Sequence, residues 1–129
     1  MAAGLVIRDA HFPGRAPIDA YGAGGFRFAE MSHVGSLLCV PSGIYGWAPS
    51  KPEEIDRDSL RLVFEEAGDI DVLLLGVGTL PVPLPEATVA SLRRNTVRHD
   101  TMTTGAAVRT FNVMVAEERR VAAALLAVD

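Results

Sequence analysis

The sequence is short of cysteine, lysine and aromatic residues, and it has no long apolar run. One cysteine, Cys39, in 129 residues excludes an internal disulfide framework and a multi-cysteine metal site. Of the twelve basic residues only Lys51 is a lysine. A net charge of −4 with no basic stripe argues against a nucleic-acid partner. The longest uncharged stretch, residues 31–50, is broken throughout by serine, glycine, proline and His33. A spanning helix needs about 20 predominantly apolar residues, so membrane insertion is not expected. The first residues have neither the apolar core of an export signal nor the Arg- and Ser-rich character of a transit peptide. The expectation is a cytoplasmic protein.

What is present is ordinary globular material, 49% hydrophobic and 22% charged. The length suits one domain over residues 1–129, which can bury roughly two thirds of its unfolded surface without staples. The first half reads as strands and turns. Residues 5–7 are a short β-type run, 21–25 a glycine-rich turn, and Phe26 and Phe28 alternate with Arg27 as a hairpin arm. Residues 34–40 are apolar and β-capable. The glycine and proline density of 41–49 reads as a loop carrying Tyr45 and Trp47.

The second half alternates helix and strand. Asp58 or Ser59 can cap a helix whose apolar face is Leu60, Val63, Phe64 and Ala67, with Gly68 as its stop. Residues 72–75 are four consecutive large apolar residues, the pattern of a strand covered on both faces. A proline-rich turn spans 76–83, and Pro85 suits the start of a second helix with Val89 and Leu92 inward. Residues 97–101 are strand-like. A third helical region starts near Thr103 or Thr104 and runs nearly to the end. Its stripe is Ala107, Phe111, Met114, Val121 and Leu125, interrupted at Glu118. This order predicts an α/β layer with a mostly parallel core, the earlier strands extending it or forming a second small sheet.

Charge is uneven. Residues 53–71 hold eight acids and two bases, while 93–120 hold six bases and three acids. Two readings are open: solvated helix faces, or a partner surface in which complementary charge steers encounter.

Catalytic signatures are weak. Gly76-Val77-Gly78-Thr79 follows a strand but lacks the third glycine and immediate helix of a dinucleotide fingerprint, so no cofactor is expected. His11, His33 and His99 have no metal-ligand spacing, so no metal is expected. Cys39 lies in an apolar run, the setting of a buried structural thiol. No G-x-S-x-G occurs around any serine. What remains is a candidate ligand pocket beyond the strand ends, built from Gly76, Gly78, Thr79, Met102, Thr103 and Thr104. There a helix start could hold an anion, although threonine capping accounts for the same residues. Trp47 reads equally as an exposed interface anchor or as cover for a core edge. With Arg93, Arg94 and Arg98 it forms the candidate partner surface.

The ordered set of Gly46-Trp47-x-Pro49, residues 71–78 (DVLLLGVG), 102–112 (MTTGAAVRTFN) and 118–125 (ERRVAAAL) resembles a small domain family of unknown biochemical function. That family includes the mitochondrial respiratory complex I assembly factor 3 and the adipogenesis-associated Mth-domain protein. The resemblance covers nearly the whole chain. Val77 departs from the usual Gly-Thr-Gly, and Thr103 stands where Asp is common. The resemblance implies a three-layer α/β fold with a central mixed, largely parallel sheet, about three flanking helices and a small extra β layer. It implies no established catalytic residue, and a bacterial relative free of a transit peptide. The functional expectation is a non-enzymatic interaction protein that assists assembly of a respiratory NADH dehydrogenase or another membrane complex. The alternative is a binder, or enzyme, for a small anionic ligand at the strand ends. Protein partners are expected, and the chain as a monomer or weak dimer.

Overall fold

The computed structural model describes residues 11–129; the predicted run at 5–7 lies outside the described residues. The strands are β1 (Phe12–Pro13), β2 (Ile18–Gly22), β3 (Gly25–Phe28), β4 (Met31–Val34), β5 (Ser36–Val40), β6 (Gly43–Trp47), β7 (Val72–Gly76), β8 (His99–Met102) and β9 (Val121–Leu125). The helices are α1 (Arg61–Glu65), α2 (Glu86–Arg94) and α3 (Thr104–Ala116), with 3-10 turns at Pro52–Glu54 and Ala67–Asp69.

Six strands form one mixed sheet in the order β1-β6-β5-β9-β7-β8. Strand β7 pairs in parallel with β9 and β8, whereas β5 pairs antiparallel with β9 and β6, and β1 antiparallel with β6. The parallel part is therefore confined to three strands, less than the largely parallel sheet expected. Strand β9 supplies one of the two parallel pairings and falls where the sequence reads as a continuation of the third helix. Alanine favours helix, but the run 121–125 is buried at every position between two apolar layers. A strand covered on both faces needs that pattern, and tertiary burial outweighs propensity. Helix α3 ends instead at Ala116, and Glu118 just beyond it, at a φ of 59°, lies in the left-handed region. Arg119 N–H donates to the Met114 carbonyl and Glu118 N–H to the Val115 carbonyl, closing the helix without a glycine.

Side-chain alternation along β7 splits the core. Leu73 and Leu75 face Leu60, Val63 and Leu92 of the α1 and α2 side. Leu74 faces Ala107 and Phe111 of α3 and Ile18, Phe26 and Phe28 of the small sheet. That second sheet, in the order β2-β3-β4, is antiparallel and covers the same side as α3. It is latched by Asn112, whose Oδ1 accepts from Ile18 N–H and whose Nδ2 donates to the Ile18 carbonyl, both at 2.8 Å.

The segment predicted as a loop at 41–49 is largely strand β6. The His33 and His11 rings lie over Gly46, which leaves them room by having no side chain; a Cβ there would come 3.0 Å from His33 Cε1. The apolar run predicted at 34–40 is divided by Gly35, at φ 102°, into the end of β4 and all of β5.

Candidate functional site

Strands β7, β8 and β9 run in the same direction, so their C-terminal ends emerge together. The three ends are laced by backbone bonds. Val77 N–H donates to the Met102 carbonyl at 2.9 Å, Leu126 N–H to the Gly76 carbonyl at 2.8 Å, and Thr104 N–H to the Gly78 carbonyl at 2.9 Å. Gly76 is required here: a Cβ on it would lie 2.8 Å from Thr104 Cα. Gly78 has a φ of 109°, which turns the chain out of the sheet.

The two threonines at the start of α3 are used inside the protein. Thr104 is fully buried; its Oγ1 accepts from Gly78 N–H at 3.0 Å and donates to the Leu126 carbonyl at 2.8 Å. Thr103 Oγ1 accepts from Ala106 N–H at 3.3 Å, the N-cap of the helix. Met102 packs into the apolar layer beneath α3. None of these three lines the open cavity at the strand ends, so the structure divides the six pocket candidates. Gly78 and Thr79 line a cavity of about 490 Å³ together with Lys51, Leu80, Val82 and Val128. Gly76 is buried behind it.

Leu80, absent from the sequence candidates, is the prominent feature of this surface. It is 67% exposed, on the coil that leaves β7. Next to the first cavity, and sharing Pro52 and Val82 with it, is a second of about 560 Å³ lined by Glu53, Pro83, Leu84 and Pro85. A third, on the neighbouring loop, is edged by Glu54, Asp56 and Asp58. Ser50 donates to Glu54 Oε1 from its N–H at 2.8 Å and its hydroxyl at 3.1 Å, which holds the Glu54 carboxyl below the usual range and keeps it ionised. The described lining of the first two cavities is mainly apolar, with Lys51, Glu53 and Asp129 as its charged residues. Alternating prolines in 81–85 restrict the backbone here, so this apolar surface is shaped in advance of any partner. The sequence shows only a leucine ahead of Pro81, Pro83 and Pro85, beyond an apolar strand-like run.

The predicted partner surface is dispersed. Trp47 is only 8% exposed; it ends β6, packs with Leu38, Ile55 and Leu60, and donates Nε1–H to the Ser59 carbonyl at 2.8 Å. Of its two readings Trp47 takes the second, covering a core edge, so its place in the candidate partner surface is corrected. Arg93 and Arg94 are exposed on the last turn of α2. Arg98 is also exposed, but it precedes β8, and its place in the β7 register puts it on the opposite face of the sheet from α2. Sequence proximity joined three arginines that the sheet separates.

Other titratable groups serve the fold. Burial pushes the Cys39 thiol far above its ordinary range, so it is not a nucleophile at neutral pH. Among the described residues no three histidine, cysteine or acidic side chains are placed to hold a metal ion. Among them no helix is long and apolar enough to cross a membrane.

A family model described as a protein of unknown function (DUF498/DUF598) matches residues 18–126. An uncharacterized protein of Rhodobacter capsulatus is 37% identical over 95% of this chain and 93% of its own length. The NADH dehydrogenase [ubiquinone] 1 alpha subcomplex assembly factor 3 of Drosophila melanogaster is 30% identical over 84% of this chain, which spans 57% of that protein's length. A crystal structure described as an outer membrane protein from Bartonella henselae is 55% identical, with a TM-score of 0.88, over 92% of this chain and all of that one. A solution structure from Bordetella pertussis described as a Mth938-like domain has a TM-score of 0.75 at 24% identity, over 97% of this chain and 92% of that one, a likeness of fold.

Proposed function

The chain belongs to the DUF498/DUF598 family of proteins of unknown function, and from that premise we propose that it is a docking protein, without catalysis of its own, that assists assembly of a respiratory NADH dehydrogenase or another membrane complex. The names of its assembly-factor relatives supply the direction. The observation that carries the reading is Leu80, exposed on a cavity that shares Pro52 and Val82 with a second one bordered by Glu53, while Glu54, Asp56 and Asp58 edge a further cavity on the neighbouring loop. Exposed apolar surface with a charged rim is the anatomy of a protein contact. Its chemistry suits an apolar partner segment flanked by basic residues, steered by these acidic residues and anchored on Leu80. The basic pair Arg93 and Arg94 on α2 is a second proposed contact, for an acidic segment. The proposal places this work in the cytoplasm, at the face of the growing complex.

The test is capture from the native host. The tagged protein at native expression level is crosslinked gently and its partners identified by mass spectrometry, beside a Leu80→Asp variant of equal melting temperature. Enrichment of NADH dehydrogenase arm subunits or membrane-insertion components by the wild type, lost in the variant, supports the reading. Equal capture by both, or no specific partner, contradicts it.

A second reading rests on Lys51, which lines the strand-end cavity together with Gly78 and Thr79. A small anion there would raise the melting temperature; at a concentration 100-fold above its dissociation constant it adds about 2.7 kcal/mol. A broad screen of anionic metabolites without a shift removes this alternative.

A further inference from the structure

Strand β8 is the outer strand of the six-stranded sheet, and among the described residues no strand pairs with its far side. The β7 ladder shows which way its backbone groups turn. Leu73 N–H donates to the Arg98 carbonyl at 2.8 Å and Val77 N–H to the Met102 carbonyl at 2.9 Å. Alternate residues of a strand turn both polar groups toward the same neighbour. Arg98, Asp100 and Met102 therefore bond inward, and His99 and Thr101 direct N–H and C=O outward. An edge of this kind is a template for another strand.

The side chains at this edge carry a second pattern. Asp100 is the register partner of Leu74 and His99 of Leu73, so Arg98 and Asp100 share one face and His99 and Thr101 the other. Arg98 and Asp100 are both exposed, and among the described residues neither has an ion-pair partner. Charge on an edge strand ordinarily blunts pairing. Here the order of signs makes the same charges self-complementary in one register.

A twofold antiparallel pair sets outward-facing residues opposite one another. Centred on His99, it places His99 opposite His99 of the second copy as a hydrogen-bonded pair. Arg98 then falls opposite Asp100 of the second copy, and Asp100 opposite its Arg98. Both are non-hydrogen-bonded positions, where side chains approach most closely. Centred on Asp100, the pair would bring two carboxylates face to face. Centred on Thr101, it would set Asp100 against Met102 and leave Arg98 without a counter-charge. Electrostatics selects the first register.

We propose that β8 is a self-association edge, through which two copies of the chain join their six-stranded sheets antiparallel across His99, held in register by two reciprocal Arg98–Asp100 pairs. The ladder is short, because Val97 N–H is already donated to the Leu92 carbonyl. Association is accordingly weak and rises with concentration. The inference is independent of the partner reading at Leu80.

Sedimentation velocity over a concentration series reaching millimolar tests it on four proteins: wild type, Arg98→Asp, Asp100→Arg and the double exchange R98D/D100R. Thermal melts of each confirm folding, which exposed charges should not disturb. The wild type is expected to dimerise reversibly. Each single reversal sets like charges opposite one another twice and weakens the dimer about tenfold or more, while the double exchange restores it. Added salt weakens the wild-type and exchanged dimers alike. A wild type that stays monomeric throughout overturns the proposal. So do single reversals that associate like wild type, or a folded double exchange that fails to recover.

Discussion

Gly78 and Thr104 bond each other twice: Gly78 N–H donates to Thr104 Oγ1 at 3.0 Å, and Thr104 N–H donates to the Gly78 carbonyl at 2.9 Å. With Oγ1 also donating to the Leu126 carbonyl, one buried hydroxyl ties the exit of β7 to the exit of β9. This clasp sets the base of the loop that presents Leu80.

Thr104→Val keeps the shape of the side chain and removes the hydroxyl. It leaves the half-buried Gly78 N–H and the Leu126 carbonyl without this partner. The expected loss is about 1–3 kcal/mol in denaturant unfolding, with Thr104→Ser losing much less. Equal stability of Thr104→Val and wild type would show that the clasp contributes nothing.

Gly76→Ala tests the close approach beneath the same loop. The added methyl would sit 2.8 Å from Thr104 Cα and 3.2 Å from Ala107 Cβ. A backbone atom there cannot swing aside, so α3 must shift. The expected destabilisation is about 1–3 kcal/mol by thermal or chemical unfolding. A neutral effect would mean that α3 is loosely seated.

His33 gives the stability a pH dependence. Burial lowers its pKa below the ordinary 6.5; a hydrogen bond with the Ser36 carbonyl opposes that shift, and the neighbouring His11 adds to it. The ring nitrogen Nε2 lies 3.0 Å from the Ser36 carbonyl, and the two imidazole centroids are 4.9 Å apart. With the folded pKa below the unfolded one, the unfolded chain takes up the proton first. The His33 contribution is therefore complete above about pH 6.5 and is lost as the pH falls through and below that value. Urea midpoints measured between about pH 5 and 8 should decline on the acid side, and His33→Gln should flatten that part of the profile. An unchanged slope in the variant would assign the acid sensitivity to other groups.

The helices, β7 and the family were legible because their signals are local. Val63, Leu92, Ala107 and Phe111 follow helical spacing, and residues 72–75 are apolar without a break. Strands β6 and β9 were hidden for opposite reasons. Gly43 and Gly46 read as loop residues, yet Gly46 is where two histidine rings need an open face, a contact made across 35 residues from His11. Ala122, Ala123 and Ala124 read as helix, yet they occupy the middle of the sheet, and only the assembled layers impose that. The candidate site was half visible. Gly78 and Thr79 line the cavity as their place beyond a strand suggests. Thr103 and Thr104 carry the right chemistry for a ligand but spend it on the helix cap and the clasp. Leu80 could not be ranked without knowing that its side chain stays in solvent.

The central claim is that this surface assists assembly of a membrane complex. It is tested most directly by deleting the gene in the native host and measuring assembled NADH dehydrogenase on native gels. The deletion strain is then complemented with wild type or Leu80→Asp at matched levels. The account predicts that assembled complex falls on deletion, returns with the wild type and stays low with the variant. Full assembly in the deletion strain, or full rescue by Leu80→Asp, would contradict it.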